Sequence, residues 1–453
     1  MSPLWRLALR NLSRNRRRNL ATASAVALGY AALILIGAWV TRVESFLRVN
    51  AIYLQHHGHV AVFQAEGLEK AAARPARYSL TAADQAQVLE AIGGDPRVEF
   101  TGRYLRGMGL AGNGCRTVPF VGIGVELDVH RRAIAHPEVL RVNPEFAVPL
   151  RGRPLPEYRA VRGAVGLSSG LARLLNKPRV HDDFPPDAEL ILVPDCTAPD
   201  AATQVASDAN VQLAGLSFDG SLAAVDGEVV NIFRTPSIDT EDQTVLTSLE
   251  TLQELYGTDA VTYLAVYLRD GRETATFAAD LARRLESTGV AAAVYAYDDD
   301  RLNPFYVGTM AFLTSLVTFI AFLVTSVVAL GVMNAMTLTM LERTQEMGTF
   351  RALGYRRRHL LGLYVRESVL LAAAALAAGL VLAYAASALV NALDLRISPP
   401  GVPGTLRVYI MPGAGVALAA AALLLPLTSL VTWLVVRRRA RLETATLLTM
   451  ATA

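Results

Sequence analysis

The sequence predicts a membrane protein that combines an all-α domain of four transmembrane helices with a large extracytoplasmic α+β domain inserted between helices 1 and 2. Apolar residues make up 52% of the 453 residues and charged residues only 18%, a balance that is high for a soluble enzyme. Four stretches carry no charged residue, and each exceeds the ~20 residues that a membrane-crossing helix needs. They are residues 20–41, 302–341, 368–393 and 408–436. Residues 43–306, with mixed helix and strand signals, separate the first two stretches.

The distribution of charge predicts the orientation in the membrane. Residues 43–306 hold 24 basic and 35 acidic side chains (24 − 35 = −11), whereas the rest of the chain holds 19 basic and 5 acidic ones (19 − 5 = +14). Arginine clusters at residues 6–18, 343–366 and 437–441 flank the apolar stretches. Because basic residues concentrate in cytoplasmic loops, we expect both termini in the cytoplasm and the net-negative block outside. This separation of charge gives no indication of a nucleic-acid partner.

These patterns predict an order of segments along the chain. Residues 302–341 would form a helix of roughly 50–60 Å, longer than the ~30 Å bilayer core, so part of it is expected to project as a stalk. The first apolar stretch is too long for the core of a signal peptide and is expected to be retained. The predicted segments are an interfacial or extended cytoplasmic helix (1–19), the first span (20–42), the α+β domain (43–306), the second span with its stalk (307–341), a polar cytoplasmic segment (342–362), the third span (363–393), a short outer loop (394–407), the fourth span (408–436) and a cytoplasmic tail (437–453).

Within the α+β block, local patterns predict both strands and helices. Runs rich in β-branched and aromatic residues predict strands at residues 59–63, 118–125, 189–193, 228–233, 261–268 and 292–297. Helices are predicted at residues 82–92, 170–176, 246–256 and 273–288. Thr81 and Asp84 have the spacing of a capping box, and Gly257 and Gly289 are typical helix-stop residues. The content of Pro, Ala, Thr and Asp in residues 194–209 predicts a linker or surface loop.

Two cysteines, Cys115 and Cys196, lie in this block. A disulfide is chemically permitted on the outer side of a bacterial membrane. Sequence gives no geometry for the pair, so a disulfide and two unpaired thiols both remain open.

Two short polar runs invite a metal-binding interpretation that the sequence does not favour. His56, His57 and His59 lack a nearby Cys or acidic residue to complete a site, so a structural role is preferred. A calcium site is conceivable at residues 298–300, three consecutive aspartates, but a run of like charges is usually a solvated patch. No metal site is predicted.

The sequence lacks the motif of a nucleotide-binding loop. A nucleotide-binding P-loop needs Gly-Lys followed by Ser or Thr, but Lys70 and Lys177 follow Glu and Asn and precede Ala and Pro. The sequence also lacks H-E-x-x-H and C-x-x-C. We therefore expect no catalytic residue and no cofactor in this chain. The absence of charged residues within the four apolar stretches also argues against a carrier with an ion site at the membrane midplane.

Residues 334–366 carry the most informative pattern. The chain leaves the second apolar stretch and becomes amphipathic, with Met347, Phe350, Ala352 and Leu353 expected to form an apolar stripe beside charged residues. Gly348 and a second glycine at 354 allow close approach or a break in the helix. Such a helix suits a groove in a partner protein, although an ordinary amphipathic cytoplasmic loop explains the same pattern.

Residues 342–348 (ERTQEMG) and 350–354 (FRALG) closely resemble the coupling segment of MacB/FtsX-type ABC transporter permeases, also called type VII. Residues 10–18 (RNLSRNRRR) resemble the N-terminal signature of that family. The order of one span, a large outer domain and three further spans is also similar. In the outer block, residues 58–62 (GHVAV) resemble the opening of the lipoprotein-releasing permeases LolC and LolE.

The resemblance implies a permease subunit of the bacterial inner membrane with a MacB-like periplasmic core domain. ATP and Mg²⁺ would bind to a separate cytoplasmic ATPase present in two copies, and a second permease copy or a paralogue would complete a dimer. Further partners implied are membrane lipid and a periplasmic adaptor or lipoprotein. The resemblance assigns ATPase coupling to Glu342, Arg343, Glu346, Met347, Gly348, Arg351, Ala352 and Gly354.

The function implied is mechanotransmission, in which ATP hydrolysis in the partner drives conformational change in the periplasmic domain. We expect extraction or export of a lipoprotein or another hydrophobic substrate. Two alternatives within the family are an FtsX-like regulator of a periplasmic cell-wall hydrolase, which transports nothing, and a MacB-like efflux permease that works with a periplasmic adaptor. A membrane sensor without an ATPase is a further alternative.

Overall fold

A computed structural model describes residues 16–185, 194–398 and 401–441 of the chain. The helices in these ranges are α1 (Arg16–Val49), α2 (Gly67–Lys70), α3 (Pro75–Tyr78), α4 (Ala82–Ile92), α5 (Leu127–Ile134), α6 (Pro137–Val142), α7 (Pro144–Ala147), α8 (Ser169–Leu174), α9 (Ala201–Ala206), α10 (Leu249–Tyr256), α11 (Thr274–Thr288), α12 (Pro304–Glu342), α13 (Thr344–Ala352), α14 (Arg357–Ala392) and α15 (Ala414–Ala440). A π-helical turn, Asn50–Leu54, follows α1.

The strands are β1 (Val60–Gln64), β2 (Val98–Gly112), β3 (Thr117–Val125), β4 (Arg151–Gly152), β5 (Ala164–Ser168), β6 (Asn210–Leu216), β7 (Leu222–Phe233), β8 (Thr244–Ser248), β9 (Tyr263–Leu268), β10 (Ala292–Ala296), β11 (Arg396–Ile397) and β12 (Leu406–Arg407). The described residues divide into two compact units. The helical unit contains residues 16–44, 310–397 and 407–441, and the mixed unit contains most of residues 45–309.

Four helices, α1, α12, α14 and α15, are long and apolar enough to cross a membrane, in agreement with the four predicted stretches. The 39 residues of α12 form one continuous helix, about 58 Å long at the α-helical rise. The description begins at Arg16, within α1, so most of the predicted interfacial helix (1–19) lies outside the described residues. The same holds for most of the predicted C-terminal tail, since the description ends at Arg441.

Small residues allow the long helices to pack closely within the helical unit. A Cβ added to Gly379 of α14 would lie 2.5 Å from the carbonyl oxygen of Ala27 in α1. One added to Gly29 of α1 would lie 2.6 Å from Cγ2 of Val328 in α12. Helices in lipid associate through such small-residue contacts because the surrounding lipid tails are as apolar as the side chains. Glycine therefore determines how closely α1 approaches its neighbours.

We expect Gly379→Ala to lower the thermal stability of the purified protein, because the new Cβ meets backbone that cannot rotate away. The matched control is Gly415→Ala in α15, where no atom lies within 4 Å of the added Cβ and alanine favours the helix by about 1 kcal/mol. The measurement is the apparent melting temperature of each variant in detergent. Equal melting temperatures for G379A and G415A would contradict the close packing of α14 against α1.

The mixed unit is built on one ten-stranded sheet. Its strand order is β10-β1-β9-β2-β3-β8-β5-β7-β4, and β6 pairs with both β2 and β7. Most pairs are antiparallel, whereas β3–β8 and β5–β7 are parallel. On β9, Leu264 and Val266 belong to one buried cluster, whereas Tyr263 and Ala265 belong to another. Since successive side chains point to opposite faces of a strand, both faces of this part of the sheet are buried.

Several predicted elements agree with the structure. Helix α4 has the predicted bounds, and Thr81 and Asp84 form the predicted capping box. Gly257 and Gly289 end α10 and α11 in the left-handed conformation. The predicted strands at 59–63, 118–125, 228–233, 261–268 and 292–297 correspond to β1, β3, part of β7, β9 and β10.

Other predictions about the mixed unit were wrong or fall outside the description. The helix predicted at 246–256 begins only at Leu249, because Ser248 accepts a hydrogen bond from Thr251 N as the N-cap and Thr244–Ser248 pairs as β8. The predicted loop at 194–209 contains the short helix α9. The predicted strand at 189–193 lies outside the described residues.

Five further strands of the mixed unit were missed: β2, β4, β5, β6 and β8. Strand β2, the longest at 15 residues, contains four glycines and two arginines that weaken its strand signal. Its cross-strand partners β3, β6 and β9 supply the hydrogen bonds that hold it extended.

Cys115 and Cys196 form a disulfide with an S–S distance of 2.09 Å and a Cα–Cα distance of 5.3 Å. The bond joins the turn between β2 and β3 to the segment that precedes α9. It closes a sequence separation of 81 residues. The sequence left open a disulfide and two unpaired thiols, and the structure has the disulfide.

Candidate functional site

The predicted coupling residues lie at the junction between α12 and α14. Helix α12 ends at Glu342, and the short helix α13 begins one residue after the N-cap Arg343. The chain then turns through Gly354, whose φ of +90° is a conformation that glycine adopts readily. Helix α14 follows at Arg357. We call residues 342–354 the coupling segment.

The inner side of the coupling segment packs against three other helices. Met347 is fully buried and belongs to a cluster with Met340 of α12, Tyr364 of α14, and Val436 and Ala440 of α15. Gly348 is buried next to it. This apolar contact holds α13 to the ends of the long helices.

An ion pair fixes the start of the coupling segment. Arg343 Nη1 lies 3.3 Å from Glu367 Oε2 of α14, and the two side chains are only 9% and 8% exposed. A buried charge is stable only when its partner is present and well placed. The pair therefore ties the α12–α13 turn to the first part of α14.

The remaining coupling residues face outward to different degrees. Glu342, Glu346, Ala352 and Gly354 are exposed, and Arg351 is half-buried. The outer side thus presents two carboxylates, and exposed arginines follow at residues 356–358. Exposed charges of this kind suit recognition by another protein, where they determine specificity and association rate.

The structure therefore divides the eight predicted coupling residues into two groups. Arg343, Met347 and Gly348 are internal, whereas the carboxylates and the C-terminal residues are accessible. The predicted single apolar stripe was wrong, since Met347 is buried while Leu353 is 72% exposed. The prediction fails because α13 ends at Ala352, so Leu353 does not follow the helical periodicity of the stripe.

Sequence reasoning missed Glu367, the partner of Arg343. It borders the third apolar stretch, which begins at residue 368. A single carboxylate at the edge of an apolar helix was a usable signal, because such a group is rarely buried without a partner. Tyr364, one helical turn earlier, is also buried at this junction.

The histidine run has structural partners in the mixed unit. His59 Nδ1 accepts a hydrogen bond from Leu268 N at 3.0 Å, and His56 Nε2 lies 3.1 Å from His130 Nδ1. Burial lowers the pKa of His59 to about 4. In residues 16–185, 194–398 and 401–441, no three His, Cys, Asp or Glu side chains converge on a metal position.

The junction between α12 and α14 lies in a region that matches a known protein family. Residues 318–444, which include the whole coupling segment, match the family model of the FtsX-like permease C-terminal domain. The chain is 32% identical over 103 residues to the macrolide export ATP-binding/permease protein MacB of Sodalis glossinidius (strain morsitans). That match covers 23% of this chain and 16% of the MacB protein. The predicted resemblance to FtsX-like, MacB-type permeases is confirmed over this region.

Two solved structures are similar at low sequence identity. The extracellular domain of the noncanonic ABC-type transporter YknZ from Gram-positive bacteria is 14% identical, with a TM-score of 0.30, over 52% of this chain and 98% of that one. The periplasmic region of MacB from Actinobacillus actinomycetemcomitans is 12% identical, with a TM-score of 0.31, over 53% of this chain and 88% of that one.

Replacement of Arg343 by Met should destabilise the helical unit, because Glu367 keeps its buried charge without the opposing guanidinium. Removal of one member of a buried pair costs about 3–5 kcal/mol, whereas replacement of both members by apolar residues is often near neutral. We therefore expect a lower apparent melting temperature for R343M and substantial recovery in R343M/E367M.

The matched control is Arg358→Met, which removes an exposed arginine from the first turn of α14. R358M should melt like the unmodified protein. If R343M melts like R358M, or if the double variant is no more stable than R343M, the ion pair does not hold the junction.

Proposed function

We propose that this chain is the permease subunit of a type VII ABC transporter, driven by a cytoplasmic ATPase on another polypeptide. The observation that carries the proposal is the match of residues 318–444 to the FtsX-like permease domain, together with the geometry of the coupling segment within it. The buried Arg343 and Met347 fix the segment, while Glu342 and Glu346 stay exposed for a partner.

Such a geometry suits mechanical coupling. A partner that binds the exposed carboxylates would push on a segment that is joined to α14 by an ion pair and to α12 by chain continuity. Helix α12 is unbroken from Pro304 to Glu342. A continuous helix transmits displacement along its axis because its backbone hydrogen bonds resist compression. We propose that α12 relays this motion to the mixed unit. The complete transporter would contain two copies of this permease, or one copy and a paralogue.

The proposed topology places both termini and the coupling segment in the cytoplasm and the mixed unit in the periplasm. Two independent observations support it. The arginine clusters before α1, around α13 and after α15 follow the positive-inside rule. The Cys115–Cys196 disulfide suits an oxidising compartment, because cytosolic thiols are normally kept reduced.

Thiol labelling tests this topology, since the chain has only two cysteines. In spheroplasts, a membrane-impermeant maleimide should label Cys115 and Cys196 only after an impermeant reductant has opened the disulfide. The control is R441C in a C115S/C196S background, where labelling should require lysis of the membrane. Labelling of R441C in intact spheroplasts, with protection of the native cysteines, would reverse the proposed orientation.

An exposed apolar patch in the mixed unit supports a protein or lipidated partner. Leu110 pairs with Ala214 and Leu216 with Leu222, and paired residues of neighbouring strands share a face. Met108, Leu110, Leu216 and Leu222 therefore form one patch, and they are 59%, 50%, 64% and 79% exposed. Contiguous exposed apolar surface commonly marks an interaction site. We propose that it contacts a lipoprotein substrate or a periplasmic adaptor.

The ATPase coupling is tested by charge reversal on the exposed side of α13. We expect Glu346→Lys to reduce recovery of a co-expressed cytoplasmic ABC ATPase at least ten-fold in pull-downs, because it reverses one of two exposed carboxylates. Glu90→Lys, a reversal at another exposed glutamate, on α4 of the mixed unit, is the control and should retain the ATPase.

The apparent melting temperature should be the same for E346K, E90K and the unmodified protein, which excludes a folding defect. ATPase recovery with E346K equal to that with E90K would contradict the assignment of the coupling segment.

A further inference from the structure

The mixed unit contains a cavity of about 370 Å³, within the ~300–1,000 Å³ range of small-molecule sites. Its floor is one face of the sheet. Arg106 on β2 pairs with Ile123 on β3, and Ile123 pairs with Leu246 on β8, so these three side chains share a face. Helices α5 and α7 contribute wall residues, among them Ile134 and Ala147. Most of the lining is apolar.

Polar groups line one part of this cavity and are held by protein contacts. Arg106 Nη2 donates to the carbonyl oxygen of Gln55 at 3.1 Å and lies 3.2 Å from His57 Nε2. The guanidinium also lies 5.4 Å from the ring centroid of Tyr263. These contacts fix the guanidinium beside His57, which is 6% exposed.

Several buried polar atoms of the cavity lining have no hydrogen-bond partner. His57 Nε2 must accept from Arg106, so the proton of the neutral ring is on Nδ1, and this buried N–H has no acceptor. Arg106 Nε is also buried and unpartnered, as are His56 Nδ1 and Asn231 Oδ1. Buried polar groups are normally satisfied. Arg106 Nε and His57 Nδ1 have almost no exposed surface, so these donors stay unused within the wall of the cavity.

The charge of this region is positive and uncompensated. Burial, reinforced for His57 by the Arg106 charge, lowers the pKa of His56 and His57 well below the usual range, so both rings are neutral at physiological pH. The ion pairs observed in the described parts of the chain do not include Arg106. Arg234 and the exposed Asp239 also line the cavity, with opposite charges. Arg106 and Arg234 both line the cavity, and neither takes part in an ion pair among the described residues.

We infer that the cavity binds an amphipathic anion, with a carboxylate or phosphate head at Arg106 and His57 and an apolar body over Ile123 and Leu246. The head would pair with the half-buried guanidinium of Arg106, which lines the cavity. Bonds to a charged acceptor are stronger than neutral ones. The apolar body gains from leaving water. This inference does not depend on an ATPase partner, so it stands or fails independently of the proposed function.

Calorimetric titration of the full chain in amphipol tests the site with three eight-carbon probes, octanoate, octyl phosphate and octanol, and empty amphipol is the blank. We expect one saturable site per chain for at least one anion, with octanol at least ten-fold weaker. Saturation by octanoate alone assigns a carboxylate head, by octyl phosphate alone a phosphate head, and by both a general anion site. Absence of saturable binding, or equal binding of octanol, overturns the inference and leaves a cavity filled by water.

Variants separate the charge from the shape of the site. Arg106→Gln should weaken the anion at least ten-fold and abolish its advantage over octanol, whereas Arg106→Lys should keep part of that advantage. The control is Arg103→Gln on the same strand, where the arginine is paired with Glu126 at 2.7 Å instead, and it should bind like the unmodified protein. Unchanged anion binding in R106Q overturns the inference.

Filling the cavity gives a second readout. Ala147→Trp should abolish binding of every probe, because the indole occupies the space of the apolar body. If A147W loses its cooperative melt, Ile134→Phe replaces it, since Ile134 is only half-buried and tolerates a larger ring. Binding that persists in a folded cavity-filling variant places the anion elsewhere and overturns the inference.

Discussion

The buried ion pair between Arg343 and Glu367 is the contact on which the proposed function most depends. Two charges that are less than a tenth exposed must compensate each other. Their pairing determines where α13 lies against α14 and, through Met347, against α15. With the inner side fixed in this way, Glu342 and Glu346 are left on the outer side. The same short sequence thus supplies an internal anchor and an exposed, charged outer side.

The mixed unit has a tightly packed interior. Its sheet is buried on both faces along β1 and β9, and close packing of this kind makes protein interiors resist deformation. The disulfide adds a covalent link across 81 residues. Two features of the unit are not required for the packing of the sheet. They are the cavity, with its unsatisfied donors, and the exposed apolar patch. They are the features of the unit through which a ligand or partner would act.

Much of the fold could be predicted from sequence because the strongest signals are physical and local. Absence of charge over more than 20 residues identified α1, α12, α14 and α15, and caps at Thr81 and Gly257 located helix ends. Strand β2 was missed because its extended form depends on partners distant in sequence, such as Gly109 with Gly215. Local propensity carries no information about such partners.

The candidate site was predictable in position but not in arrangement. The motif located residues 342–354, yet only the structure separates the buried Arg343 from the exposed Glu346 and supplies Glu367 as a partner. The cavity could not be predicted, since Arg106, Ile123 and Leu246 come together only through strand register. Likewise, two cysteines without geometry could not establish a disulfide.

The proposed function requires that the exposed side of α13 contacts an ATPase on another chain. Photo-crosslinking in cells tests it most directly, with a benzophenone amino acid placed at position 346 and, as a control, at position 90. We predict an adduct with a cytoplasmic ABC ATPase from position 346 and none from position 90. A full-length, membrane-inserted protein that gives no ATPase adduct from position 346, or the same adduct from both positions, would contradict it.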